Sequence, residues 1–125
     1  MKSLDNHFKS RLVSGEVIEK TRNPVFRSSV IFPVIKNSHY TTRISFLGYW
    51  FLKRMIKEVK LVLTFRNNDG SIILKTSSTL NIPKVFLIEL DDLLKENNIE
   101  ENEFYGSIEL EIFSSKDLVY PYPAF

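Results

Sequence analysis

The sequence predicts one all-β domain, an antiparallel two-sheet β-sandwich of jelly-roll or Ig-like topology with one short helical turn. Three observations predict it. First, Val59, Leu61, Leu63 and Phe65 alternate with Lys60, Val62, Thr64 and Arg66, the period of two expected of a half-buried strand. Second, Asn67-Asn68-Asp69-Gly70 comes at once after it; Asx residues and Gly tolerate positive φ, so the chain turns back there into a hairpin. Third, apolar runs recur about every ten to fifteen residues, and none of the long amphipathic helices that parallel crossovers require lies between them.

Composition agrees. A chain of 125 residues is the size of one domain, and 43% apolar residues can fill a core. Ten Phe, five Tyr and one Trp suit pleated surfaces better than helices. There is no Cys, so disulfides, thiolate catalysis and Cys-ligated zinc are excluded. The first residues, Met1 to Arg11, are polar and charged and no run of eighteen apolar residues occurs. A cytoplasmic location with no membrane span is therefore the expectation.

Taken in order, residues 1–12 are expected to form a flexible arm or a short helix, with Leu4, Phe8 and Leu12 spaced by four. Residues 13–125 are expected to form the sandwich. Val25–Ile35 reads as a strand in which Pro33 implies a sheet edge or a bulge. Tyr40–Phe51 reads as a second strand, with Thr42, Ile44 and Phe46 facing one way and Gly48 marking a bend or bulge. The hairpin arms lie within Lys57–Ser77. Val85–Leu90 is a further apolar strand, and Asp91-Asp92 open a helical turn running through Glu96. After an acidic loop, Phe104–Phe113 places Ile108, Leu110 and Ile112 on one face and Glu109 and Glu111 on the other. The closing segment VYPYPAF (Val119–Phe125) is apolar and aromatic; it either docks along the sandwich or leads into a longer protein.

Charge is split along the chain. Residues 1–66 hold 13 Lys/Arg against 4 Asp/Glu, a charge of +9, and residues 67–125 hold 4 against 11, a charge of −7. Such a split marks either a basic face that attracts a second copy or two halves that interleave and neutralise each other.

One resemblance comes from an order of features: the strand VKLVLTF (Val59–Phe65), a turn containing Asp69, a second strand and the segment VFLIELDDL. An acidic loop, the Gly-led strand Gly106–Phe113, Ser114-Ser115 and Leu118-Val119 complete it. Across residues 59–120 this order resembles the β-sandwich of the sensory rhodopsin transducer family. The resemblance implies a small homo-oligomeric interaction module with a ligand cleft. The glycine- and proline-rich beginning of that family has no counterpart here, and no functional residue is carried over.

Catalytic signatures are sparse. His7 and His39 stand apart, no G-x-S-x-G elbow or phosphate-cradling G-x-x-x-x-G-K occurs, and Asp91-Asp92 and Glu100-Glu101-Glu103 read as a helix start and a solvated loop. No catalytic residue, metal site or cofactor is expected. The segment with binding character is Gly48–Lys60, where Tyr49, Trp50 and Phe51 adjoin Lys53, Arg54 and Lys57. Tyr49, Trp50, Lys53 and Arg54, with Arg43 nearby, are the candidate ligand-binding residues, because aromatics beside cations stack on rings and anchor partners. Core aromatics and then a basic turn would give the same pattern. These features together favour a non-enzymatic interaction domain that self-associates and binds a protein partner. The alternatives are a carbohydrate- or small-ligand-binding module and an accessory domain of a larger enzyme. Nucleic acid is disfavoured, since a pI near 8.8 is modest and no RNP-type motif is present.

Overall fold

The computed structural model describes residues 24–118 together with the backbone of two short paired strands, β1 (Leu12–Val13) and β2 (Glu16–Val17). The expected arm, except Leu12, and the segment Val119–Phe125 lie outside the described residues. The longer strands are β3 (Arg27–Lys36), β4 (Arg43–Leu47), β5 (Val59–Asn67), β6 (Ile72–Leu80), β7 (Val85–Glu89) and β8 (Phe104–Phe113). Helix α1 (Tyr49–Lys53) lies between β4 and β5, and α2 (Leu90–Glu96) lies between β7 and β8.

The fold grows outward from the hairpin. Gly70 N–H donates to the Asn67 carbonyl (2.9 Å) and Asn67 N–H to the Ser71 carbonyl (2.9 Å), with Gly70 at φ +86°. This is a tight turn ending in a left-handed residue, a geometry that glycine adopts without steric cost. The Ser71 hydroxyl and amide both donate to Asp69 Oδ1 and hold its carboxyl below the ordinary aspartate value. Around this turn the pairings nest: β5 with β6, β4 with β7, and β3 with β8, all antiparallel. Residues 27–113 are thus one long ribbon that crosses between layers. Strands β3-β8-β5-β6 form a large sheet in that order, and β4-β7 form a small one. A ribbon wrapped in this way is the jelly-roll arrangement. An Ig-like sandwich pairs its first two strands in one sheet, whereas β3 and β4 lie in different sheets.

Side-chain parity then fills the space between the sheets. Val59, Leu61, Leu63 and Phe65 are only 1%, 8%, 8% and 0% exposed, so the expected inward face is the observed one. Across the β5·β8 register, Leu61, Leu63 and Phe65 stand opposite Ile112, Leu110 and Ile108. Ile44 of the small sheet, Trp50 of α1, and Leu90, Leu93 and Leu94 of α2 close the same core. Full burial of each such side chain stabilises by about 1.5–3 kcal/mol, set against the entropy of ordering the chain. Gly106 is required by close approach: a Cβ there would run into the Arg66 carbonyl and the Phe104 ring.

Pro33 lies on an edge strand, as its residue type requires. Ile35 N–H, of the same parity, points away from β8 to Thr42 Oγ1 (2.8 Å), so the missing Pro33 N–H falls on the open side of β3. The expected helical turn after Val85–Glu89 is α2. The expected strand through Phe51 is a correction: β4 stops at Leu47 and a second helix, α1, begins after Gly48. The chain must cross back to the large sheet there, and one helical turn drives Trp50 into the core. Met55 closes that turn in the left-handed region (φ 54°), letting Ile56 N–H reach the Trp50 carbonyl (3.1 Å).

Thr64 breaks the parity rule. It belongs to the outward face of β5, between Lys75 and Glu109 on the adjoining strands, yet is 1% exposed, and its hydroxyl has no hydrogen-bond partner. A buried hydroxyl without a partner costs its desolvation. Thr64→Val is therefore expected to raise stability by about 1 kcal/mol, read as a higher urea midpoint at unchanged slope; a lower midpoint would show that the hydroxyl is satisfied.

Candidate functional site

The five candidate ligand-binding residues do not form one site. Trp50 is fully buried, with its ring near those of Phe46, Phe51 and Phe86 and its indole N–H without a partner. It offers no face to a sugar or base. Arg43 sits at the far end of β4, roughly 13 Å of strand from Leu47, and pairs with Glu89 at 2.7 Å. Lys53 is exposed at the end of α1.

Tyr49 and Arg54 do come together, on the segment after β8. The Tyr49 hydroxyl donates to the Leu118 carbonyl (3.1 Å) and Arg54 Nε to the Asp117 carbonyl (3.3 Å). Arg54 Nη2 lies 3.6 Å from Asp117 Oδ2, and Val25 N–H donates to Asp117 Oδ1 (3.0 Å). Burial pushes the Tyr49 phenol above its ordinary value; Arg54 pulls against that and Asp117 adds to it. This group is a clamp that fastens residues 117–118 to α1 and to the start of β3.

Two surfaces have binding character. One is an open cleft of about 410 Å³ at the end of the large sheet, where Phe26 and Phe113 adjoin Glu58, Lys60, Thr79 and Ser114. Phe113 also carries the Arg27 guanidinium 5.9 Å from its ring centre. The other is the outward face of the small sheet. Leu47, Val85 and Leu87 are 49%, 60% and 52% exposed. Leu47 stands directly opposite Val85, and the Arg43–Glu89 pair lies at the end of the same face. The sequence carries a signal for it: in VFLIEL both parities of the strand are apolar, so one must face away from the core.

Five ion pairs form among the described residues: Arg27–Glu111, Lys36–Asp91, Arg43–Glu89, Arg54–Asp117 and Arg66–Glu109. Each joins a base from the first half of the chain to an acid from the second. Nesting lays the halves side by side, and the charge split is neutralised inside the molecule. Lys36 holds the Asp91 carboxyl below the usual aspartate value, and the Thr41 hydroxyl adds to this. His39 sits exposed in a turn whose amides, His39 and Tyr40, donate to Asn37 Oδ1. Among the described residues no three His, Asp or Glu side chains converge as metal ligands, and no helix is long and apolar enough to cross a membrane.

Comparison with protein-family models, with curated proteins and with solved structures gave no match to this chain.

The clamp gives a pH prediction. A phenol whose folded pKa is raised contributes stability below its unfolded value near 10, and that contribution is lost as pH rises through the folded value. Tyr49→Phe is expected to cost about 1 kcal/mol at neutral pH through loss of the Leu118 hydrogen bond. It should also flatten the alkaline fall in stability, both read from urea midpoints between neutral and alkaline pH. An unchanged alkaline limb would place the Tyr49 phenol in water.

Proposed function

We propose that this domain is a non-enzymatic interaction module that associates with a second copy of itself through the outward face of the β4–β7 sheet. The observation that carries the reading is the group Leu47, Val85 and Leu87, three neighbouring large apolar side chains, each about half exposed on a sheet face turned away from the core. Contiguous apolar surface of this kind marks interaction sites. Arg43 and Glu89 at its end are paired with each other within the chain, so the face carries no unpaired charge there that would oppose a second copy. The resemblance to sensory rhodopsin transducer sandwiches implies the same class of role.

The magnitude is modest. Burying the exposed halves of three such side chains yields a few kcal/mol, against an association cost of at least about 4 kcal/mol. The dimer is therefore weak and concentration-dependent. Because the ion pairs close within one chain, the association is driven by apolar burial and resists salt. Light scattering behind size-exclusion chromatography should show mass rising with concentration alike at low and high salt, and Leu87→Glu should hold the chain monomeric without unfolding it. A strict monomer at the highest concentration would contradict the proposal.

A second reading, binding of a small ligand, rests on the Phe26–Phe113 cleft and not on Trp50.

A further inference from the structure

Two crossings between the sheets share both their ends. Residues 48–58 lead from Leu47 to Val59, and residues 81–84 lead from Leu80 to Val85. Leu47 stands opposite Val85 and Val59 opposite Leu80. The crossings therefore run side by side across one end of the sandwich, tied by Gly48 N–H donating to the Lys84 carbonyl (3.3 Å). Burial of Trp50 and Ile56 anchors the longer crossing and leaves residues between them turned outward. Leu52, Met55 and Ile82 are each more than half exposed, and Lys53, Lys57 and Lys84 are exposed beside them in the chain. None of the three apolar residues belongs to a strand, so no sheet pleat accounts for them. The crossings carry four bases, Lys53, Arg54, Lys57 and Lys84, against one acid, Glu58. Arg54 is held by Asp117; the three lysines join none of the ion pairs among the described residues. The opposite end has the reverse sign. Strand β7 finishes there at Glu89, and residues 90–103, which join it to β8, carry six acids against Lys95.

We propose that the end formed by the two crossings docks on an anionic lipid bilayer. Leu52, Met55 and Ile82 enter the interface, and Lys53, Lys57 and Lys84 meet the anionic headgroups. This goes beyond self-association and does not rest on it. Charge complementarity selects the partner. The cations are drawn to a negative surface and the acidic far end is repelled by it, which orients the domain. The apolar tips narrow the choice further. Aliphatic side chains gain nothing from a nucleic acid, which binds through stacking on aromatic rings and through phosphate contacts. A second copy's acidic loop matches the charge, but residues 97–103 offer only Ile99 as an apolar counterpart. A bilayer supplies both an apolar layer and negative charge, and lysine stems lie along the first while their ammonium groups reach the second. Three side chains reach no deeper than the headgroup boundary, so the docking is reversible and sensitive to salt. That separates it from the salt-resistant contact of the small sheet.

Sedimentation of the full chain with vesicles tests this. Phosphatidylcholine vesicles containing about 30% phosphatidylserine should bind it, pure phosphatidylcholine should not, and raised salt should release it. Lys53→Gln with Lys57→Gln should weaken binding about twenty-fivefold, at roughly fivefold per cation. Leu52→Ser with Met55→Ser keeps the charge and should weaken binding about tenfold or more. Lys75→Gln with Lys95→Gln removes the same charge from β6 and α2 and should leave binding unchanged. Equal binding to both vesicle types, or binding to neither, would overturn the proposal. An equal loss in Lys75→Gln with Lys95→Gln would also overturn it, because net charge alone would then be at work. Salt-sensitive self-association without vesicles, abolished by Lys53→Gln with Lys57→Gln, would assign this end to a second copy's acidic end instead.

Discussion

Strand β8 sits between β3 and β5 and pairs with each over most of its length. The centre of the large sheet's inward face is placed through it: Ile108, Leu110 and Ile112 meet Phe65, Leu63 and Leu61 on one side and Phe32, Val30 and Ser28 on the other. Its outward residues Glu109 and Glu111 receive Arg66 and Arg27. Pairing β8 with β3 closes a loop of nearly seventy residues, since its innermost register partners are Lys36 and Phe104. That closure costs only logarithmically more than a short one, so the apolar burial it permits outweighs it. The kinetic consequence is slower folding, because few local contacts reward the chain before the arms meet.

The charge distribution has its origin in the same constraint. Exposed ion pairs are each worth no more than about 1 kcal/mol, so five of them do not hold the fold together. Their worth lies in selecting pairings. Basic β3, β4 and β5 would meet like charge if they paired among themselves, whereas the fold sets β3 and β5 on either side of acidic β8 and β4 beside Glu89 of β7. A small net charge of +2 thus comes from complementary arms and leaves the apolar outward face of β4–β7 as the feature that asks for a partner.

How much of this is legible in the sequence depends on how local the cause is. The alternation of Val59–Phe65 and of Phe104–Phe113 and the Asx-Gly turn are set by nearest neighbours along the chain, and the structure keeps them where the pattern puts them. Helix α1 is not legible, because Tyr49-Trp50-Phe51 carries aromatics at consecutive positions and fits a period of two and of 3.6 equally. What decides it is the need to return from the small sheet, a tertiary demand. The choice between jelly-roll and Ig-like order stays open in the sequence for the same reason. The candidate site shows the limit more sharply. Aromatics beside cations in Gly48–Lys60 say nothing of which side they face, and the structure turns Trp50 inward and uses Tyr49 and Arg54 as a clamp. For Leu47, Val85 and Leu87 the sequence signals only that VFLIEL is apolar on both parities; which parity faces away from the core is decided by the sheet it joins.

The fold depends on distant arms of one ribbon lying side by side, and backbone contacts report that directly. Cross-strand nuclear Overhauser effects should connect the backbone of Leu110 to Val30 on one side and to Leu63 on the other. Finding Val30 instead opposite residues of β4, as in a sheet of strands paired in sequence order, with no contact from Leu110 to either partner, would contradict it.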